Sequence, residues 1–485
     1  MSTSFSTDAA VVTARDPASR RGLRSGIVLA TLLTCQLMIV LDITVMNVAL
    51  PRIQTDLHFS ATGLSWVMNS YSLVFGGLLL LGGRAGDLFG RRSLFIAGAA
   101  LFTAASLAGG LAPSAGWLLA ARVLQGIGGA MAAPNTLALL TTSFPDPKAR
   151  VRVLAWFSGM SSAGFAIGLI VGGLLTEWLS WRSVLFINVP FGLVVVVLAL
   201  LNLPAAEREP DHHLDLPGAV TATAGVATLA YGFISAASHG WGNPITDICL
   251  AVGVALLITF LTIESRTRQP LLPLRLFTDR NRAAAYANMF LVPMAGLSMF
   301  FFLTQFLQDV LGLSALATGF AFLPTAVMMF TMVRLIPRLL ARFGPRPVAM
   351  TGAVSMGTGL ALLTTLTAHS GYFPLLFVAM LLLGCGIGLS VSPLNVVIMS
   401  NVEPHEAGAA GGALQTLQQT GAALGLAVLV TIFGTAARDA GGTAQHALVG
   451  GMTVVFAVAA GIAALTFLVA LSFRPATVKT EPARR

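Results

Sequence analysis

Stretches of roughly twenty apolar residues recur from one end of this chain to the other, each long enough to cross the hydrocarbon core of a bilayer. No water reaches that core, so the backbone of each stretch must close its own hydrogen bonds, and a continuous helix does so. Fourteen such runs are read, at 26–50, 62–82, 92–112, 115–142, 150–175, 181–203, 217–236, 246–264, 283–309, 317–340, 346–368, 371–400, 409–436 and 447–473. Fourteen is even, which puts both ends of the chain on one side. Only 10% of the 485 residues are charged, against about 25% in a soluble domain. The reading is an all-α integral membrane protein with no separate soluble domain.

The basic residues test this topology. With the N-terminus inside, the inner loops and tails hold Arg91, Arg92, Lys148, Arg150, Arg152, Arg266, Arg268, Arg280, Arg282, Arg338, Arg342, Arg346, Arg474 and Lys479. The outer loops hold only Arg52, Arg182 and Arg438. Such asymmetry sets orientation. It also accounts for the net charge of +9 without a nucleic-acid partner. The polar first 25 residues, with Arg15, Arg20, Arg21 and Arg24, precede a run too long for a cleaved signal. Cys35, Cys249 and Cys385 all fall in apolar runs without metal spacing, as small packing residues.

The densest charge lies in a short turn between the second and third runs. Gly82-Gly83-Arg84-Ala85-Gly86-Asp87-Leu88-Phe89-Gly90-Arg91-Arg92 joins two antiparallel helices. Residues 338–346 echo it, with Arg338, Phe343 and Gly344 matching Arg84, Phe89 and Gly90. Gly164 and Gly168 are echoed by Gly421 and Gly425. Helices 1–6 thus correspond to helices 9–14, and helices 7 and 8 are an insert. The chain divides into a tail (1–25), a six-helix bundle (26–203), a linker with two helices (204–282), a second bundle (283–473) and a tail (474–485).

Two charges lie well inside spans. Asp42 stands nine residues before Pro51, about 13 Å below the outer helix end at 1.5 Å per residue. Arg122, on a helix starting near Ala115, lies about 10 Å deep. Intramembrane acids mark functional sites by default, though Asp42 could also be a satisfied aspartate packing two helices, and Arg122 a structural arginine on backbone carbonyls. Asp309 and Arg334 lie nearer helix ends.

The 82–92 turn, Leu41-Asp42-Ile43-Thr44-Val45-Met46-Asn47-Val48-Ala49-Leu50-Pro51 in helix 1, Arg122-Val123-Leu124-Gln125-Gly126 in helix 4 and the glycine stripe of helix 5 resemble the major facilitator superfamily. The two extra central helices resemble its fourteen-helix drug:proton antiporter branch. The resemblance implies two six-helix bundles with a substrate site between them near the midplane. It implies that Asp42 and Arg122 couple transport to protons. It implies a conformational clasp of Gly83, Arg84, Asp87, Gly90, Arg91 and Arg92, with Asp87 meeting the start of helix 13 near Gly408–Gly412; pairing of Asp87 with Arg91 or Arg84 is the alternative. Gly164, Gly168, Gly172 and Gly173 belong to the family's antiporter stripe, or serve close packing alone. The proline usual after the middle glycine is Leu169 here, which leaves the helix straighter. The segment from Trp181 to Gly192 reads as an interfacial anchor at the entry to helix 6.

Amide side chains in apolar helices should face a wet cavity, because unpaired polar groups in lipid cost several kcal/mol. Gln36, Asn69, Gln125, Asn288, Gln305, Asn395, Gln415, Gln418 and Gln419 occur on helices 1, 2, 4, 9, 12 and 13, which correspond to the family's cavity-lining helices. Some of them could bridge helices instead.

The sequence offers no catalytic, metal or phosphate motif. The expectation is a non-enzymatic monomer without cofactor in a bacterial cell membrane, both termini cytoplasmic. It would export amphiphilic drugs or antibiotics by alternating access, driven by protons. The alternatives are an importer or lipid exporter on the same fold, or a sensor or scaffold that does not transport.

Overall fold

The computed structural model describes residues 17–144, 146–203, 215–267, 270–272, 274–399, 402, 407–440 and 443–473. The terminal tails and the middle of the linker, 204–214, lie outside the described residues, as do the side chains that begin helix 13. Among the described residues all regular structure is helical. Twelve helices are long and apolar enough to span a membrane. They are α1 (Pro17–Leu57), α2 (Ser65–Phe89), α3 (Arg91–Gly110), α4 (Ala115–Ser143), α6 (Ser183–Asn202), α7 (Leu216–His239), α8 (Pro244–Arg266), α9 (Arg280–Val310), α10 (Ala315–Phe343), α12 (Tyr372–Met399), α13 (Ala407–Ala440) and α14 (Ala444–Leu471). Two more helices, α5 (Pro147–Trp178) and α11 (Pro345–Leu363), stand among the described residues where the remaining two of the fourteen runs are read.

Local chemistry starts these helices. Side chains of Ser114, Asp146, Asn243, Asp279, Ser314 and Thr443 accept backbone N–H groups at the starts of α4, α5, α8, α9, α10 and α14. Each cap satisfies a donor that the first turn leaves open. α1 continues through Pro51 and ends at Leu57, beyond the expected 50.

The charged turn is shorter than expected. α2 runs on to Phe89, so Gly82, Gly83, Arg84, Gly86 and Asp87 are helical, and only Gly90, at φ 95°, makes the turn. Packing overrides the poor helix propensity of glycine here. A Cβ on Gly82 would strike the Ala130 carbonyl of α4, and one on Gly86 would strike Asn135. Gly344 repeats the arrangement between α10 and α11, at φ 75°.

The two halves repeat one contact plan. α4 packs on α2 and α3, and α12 packs on α10 and α11. α5 lies along α1, and α13 along α9. Gly164, Gly168 and Gly172 face Val40, Thr44 and Val45 of α1, while Gly421 and Gly425 face Phe290 and Met294 of α9. The halves meet where α2 packs on α13 and α5 on α10. The inserted pair packs on itself, with α7 against α2 and α13.

Hydrogen bonds between the halves lie on the far face, opposite the entry of the chain into α1. Thr304 Oγ1 donates to Asn47 Oδ1 at 2.7 Å, and Gln308 Nε2 to the Val48 carbonyl at 3.0 Å. The Leu316 amide at the start of α10 donates to Glu177 of α5 at 2.8 Å. Gly173 lies directly against Ala315 and Leu316.

Candidate functional site

Five helices of the first half close around Asp42, which is 1% exposed. α1 brings Asp42; α4 brings Arg122 and, one turn on, Gln125. α6 brings Asn188 from a break at Ile187, between the short helix Ser183–Phe186 and the helix Asn188–Asn202. α3 brings Ser106, and α2 the Val67 carbonyl and Tyr71.

The hydrogen bonds form one network. Arg122 Nη1 donates to Asp42 Oδ2 at 2.5 Å and to Gln125 Oε1 at 2.9 Å. Arg122 Nε donates to the Val67 carbonyl at 3.0 Å. Asp42 Oδ1 accepts from Gln125 Nε2 at 3.0 Å and from Asn188 Nδ2 at 2.9 Å. Gln125 Nε2 also reaches Ser106 Oγ at 2.8 Å. The guanidinium carbon of Arg122 lies 4.5 Å from the centre of the Tyr71 ring.

A buried pair of this kind is costly to assemble and more costly to break. Removing one partner strands a charge in a low-dielectric interior, at about 3–5 kcal/mol. Gln125 and Asn188 donate to the Asp42 carboxylate and Gln125 accepts from Arg122, while Ser106 holds the Gln125 amide in place. Chemically the arrangement is a carboxylate that can hold a proton, set against a cation that compensates it when it does not. Where α9 and α12 repeat α1 and α4 in the second half, no such pair occurs among the described residues.

The other expected site residues part company. Gln125, expected to line a cavity, is fully buried inside the first bundle in the Asp42 network. Asn288 and Gln305 are buried as well. Asn288 Nδ2 bridges α9 to the Thr466 carbonyl of α14 at 3.2 Å, and Gln305 bonds to Phe301 of its own helix. Asn69 is buried on α2. Gln36, Asn395, Gln415 and Gln418 are partly exposed. Gln125 and Asn288 bond between helices, the alternative that the amide pattern left open.

At the near face, Asp87 accepts from Arg91 Nε at 2.9 Å, a pair within one turn. Arg92 Nη2 donates to the Leu200 carbonyl at the end of α6, at 2.7 Å. The expected meeting of Asp87 with the first side chains of α13 falls outside the described residues. Leu80, two turns up α2, lies against Gly412 of α13. Gly164, Gly168 and Gly172 face α1, whereas Gly173 faces the other half. Trp181 is 2% exposed rather than at a lipid interface, and its Nε1 donates to Asp56 at the end of α1 at 2.7 Å.

Asn188, Ser106 and Tyr71 were not foreseen. Asn188 carries the same signal as the other amides, a polar side chain in an apolar helix. Its place in the segment read as an interfacial anchor concealed that signal.

Residues 32–426 match the family model of the Major Facilitator Superfamily. The chain belongs to the major facilitator superfamily. It is 41% identical to the puromycin resistance protein pur8 of Streptomyces alboniger, over 91% of this chain and 90% of that one. It is also 41% identical to the cephamycin export protein CmcT of Amycolatopsis lactamdurans, over 83% and 84%. Among solved structures the peptide transporter POT in complex with sulfate shares the fold, with a TM-score of 0.65 at 15% identity, covering 92% of this chain and 93% of that one. Membership accords with the repeated contact plan of the two halves.

Proposed function

We propose that this protein exports amphiphilic small molecules, drugs or antibiotics, across a bacterial cell membrane in exchange for protons, as a monomer with both termini in the cytoplasm. The observation that carries the reading is the buried Asp42–Arg122 pair inside a membrane bundle. Its chain is similar over most of its length to proteins named for antibiotic resistance and export.

In this reading Asp42 is the proton carrier and Arg122 its partner. While the two touch, the negative charge is compensated and the carboxylate stays ionised. A rearrangement that separates them leaves a buried charge uncompensated, and the carboxylate takes up a proton from the side then open. Re-forming the pair expels the proton to the other side. Alternating access closes one face as the other opens. The far-face contacts of Asn47, Thr304, Gln308 and Glu177 hold that face shut, and Asp87, Arg91 and Arg92 serve the near face. Partly exposed amides of α1, α12 and α13 contribute to the substrate path. One carboxylate implies about one proton per cycle, and favours neutral and monocationic substrates over dications.

Purified protein in liposomes, followed for internal pH and substrate flux together, tests the reading. Asp42→Asn abolishes proton-driven export and keeps part of the substrate binding. Robust proton-coupled export by that variant would refute Asp42 as carrier, and substrate moving in the same direction as the proton would overturn exchange.

A further inference from the structure

One edge of the Arg122 guanidinium has no hydrogen bond. Nε and Nη1 are engaged by Val67, Asp42 and Gln125, while Nη2 is buried without a partner among the described residues. What that cation meets instead is the face of Tyr71, 4.5 Å from its carbon to the ring centre. The ring is fully buried and clamped. Phe75 stacks on it at 5.4 Å and 10°, and Phe102 meets it edge-on at 6.5 Å and 84°. α4 is bare of side chain where it passes: a Cβ on Gly126 would lie 2.9 Å from the Tyr71 carbonyl, and one on Gly129 would lie 3.3 Å from its hydroxyl. That hydroxyl has no partner among the described residues. A tyrosine whose hydroxyl meets no partner among the described residues, held rigidly with its face to a cation, is present for its ring.

We infer that Tyr71 is a positioning residue that holds Arg122 in place through both protonation states of Asp42. The inference rests on the proposed coupling role of that pair. The groups around the pair are Arg122 of α4 and Tyr71 of α2 as ionisable neighbours, Cys35 on α1 itself, and neutral Gln125, Asn188 and Ser106. When Asp42 gains a proton, Arg122 loses the only anion that faces it among the described residues. The carbonyls of Val67 and Gln125 hold two of its nitrogens, and only the ring addresses the cation as a whole. The attraction of a desolvated cation to an aromatic face does not depend on a proton. Arg122 therefore stays where it can re-form the pair, and uptake and release of the proton remain reversible steps of one cycle. Without the ring face, the protonated state leaves Arg122 free to turn away, and proton flow separates from substrate flow.

The test uses the full-length protein in liposomes, with internal pH and substrate flux recorded together. Tyr71→Phe retains coupled export, because it keeps the ring and removes only a hydroxyl that has no partner among the described residues. Tyr71→Leu lowers coupled export about tenfold or more, and moves the pH midpoint of substrate binding toward that of Arg122→Gln. A series of phenylalanines at position 71 carrying more and more fluorine keeps the ring shape while weakening its face, so it guards against a folding defect in Tyr71→Leu. Coupled export falls stepwise along that series. A flat series, or an inactive Tyr71→Phe, overturns the role of the ring. Arg122→Gln separates the two readings: if it stays fully coupled, the proposed function fails; if it uncouples while the fluorine series is flat, only the role of Tyr71 fails.

Discussion

Asp42 collects three hydrogen-bond donors on its two oxygens, from Arg122, Gln125 and Asn188. Each donor comes from a helix crossing the membrane, so the carboxylate fixes the relative heights of α1, α4 and α6. Asn188 is the member whose removal is most informative, because it carries no charge. Asn188→Leu takes one donor from a buried anion and leaves the rest of the network in place. The expected loss is about 1–3 kcal/mol, read as a lower midpoint in equilibrium unfolding from detergent micelles, together with weakened proton-driven export. Unchanged stability and transport would show that Gln125 and Arg122 suffice to hold Asp42.

At the scale of elements, glycine decides which helices can touch. On α5 the stripe Gly164, Gly168 and Gly172 meets α1, and Gly421 and Gly425 do the same for α13 against α9. A Cβ on Gly172 would lie 2.8 Å from the Cα of Val45, whereas one on Gly461 of α14 meets nothing within 4 Å. Gly172→Val should therefore destabilise by about 1–3 kcal/mol through overpacking, and Gly461→Val should not. Thermal unfolding of the two variants side by side checks this, and equal melting temperatures would remove the close approach from the account. The same stripe governs the Asp42 site indirectly, because α5 braces the side of α1 that faces away from Arg122. Leu169, in the position where the resembling motif usually has proline, is buried, and α5 is continuous through it.

At the scale of the whole molecule, the contact plan of α1 to α6 returns in α9 to α14, and α7 with α8 stands outside it. The polar network does not return. Among the described residues one half thus carries the buried ion pair and the other has no such pair. The basic residues predict an orientation with both termini inside. In a variant lacking Cys35, Cys249 and Cys385, a cysteine at Asn243 in the α7–α8 turn should react with a membrane-impermeant reagent added to whole cells. A cysteine at exposed Phe89 beside the Gly90 turn should not. The reverse pattern would invert the topology.

The spans, the insert, the repeat and the two buried charges were legible in the chain itself, because lipid imposes length and apolarity on every crossing helix and makes each charge within one conspicuous. Short-range signals did less well. The glycines at 82, 83 and 86 read as a turn, yet they lie in a helix because α4 packs against them. The amides read as a wet cavity, yet Gln125 and Asn288 bond between helices. Only the tertiary structure decided that Asp42 and Arg122 touch, that Asn188 and Ser106 complete their network, and that Tyr71 lies under the guanidinium. The reason is geometric. Sequence sets how deep a residue lies along its own helix, whereas the rotation of each helix about its axis, and so the partner each side chain meets, depends on the packing of all its neighbours at once.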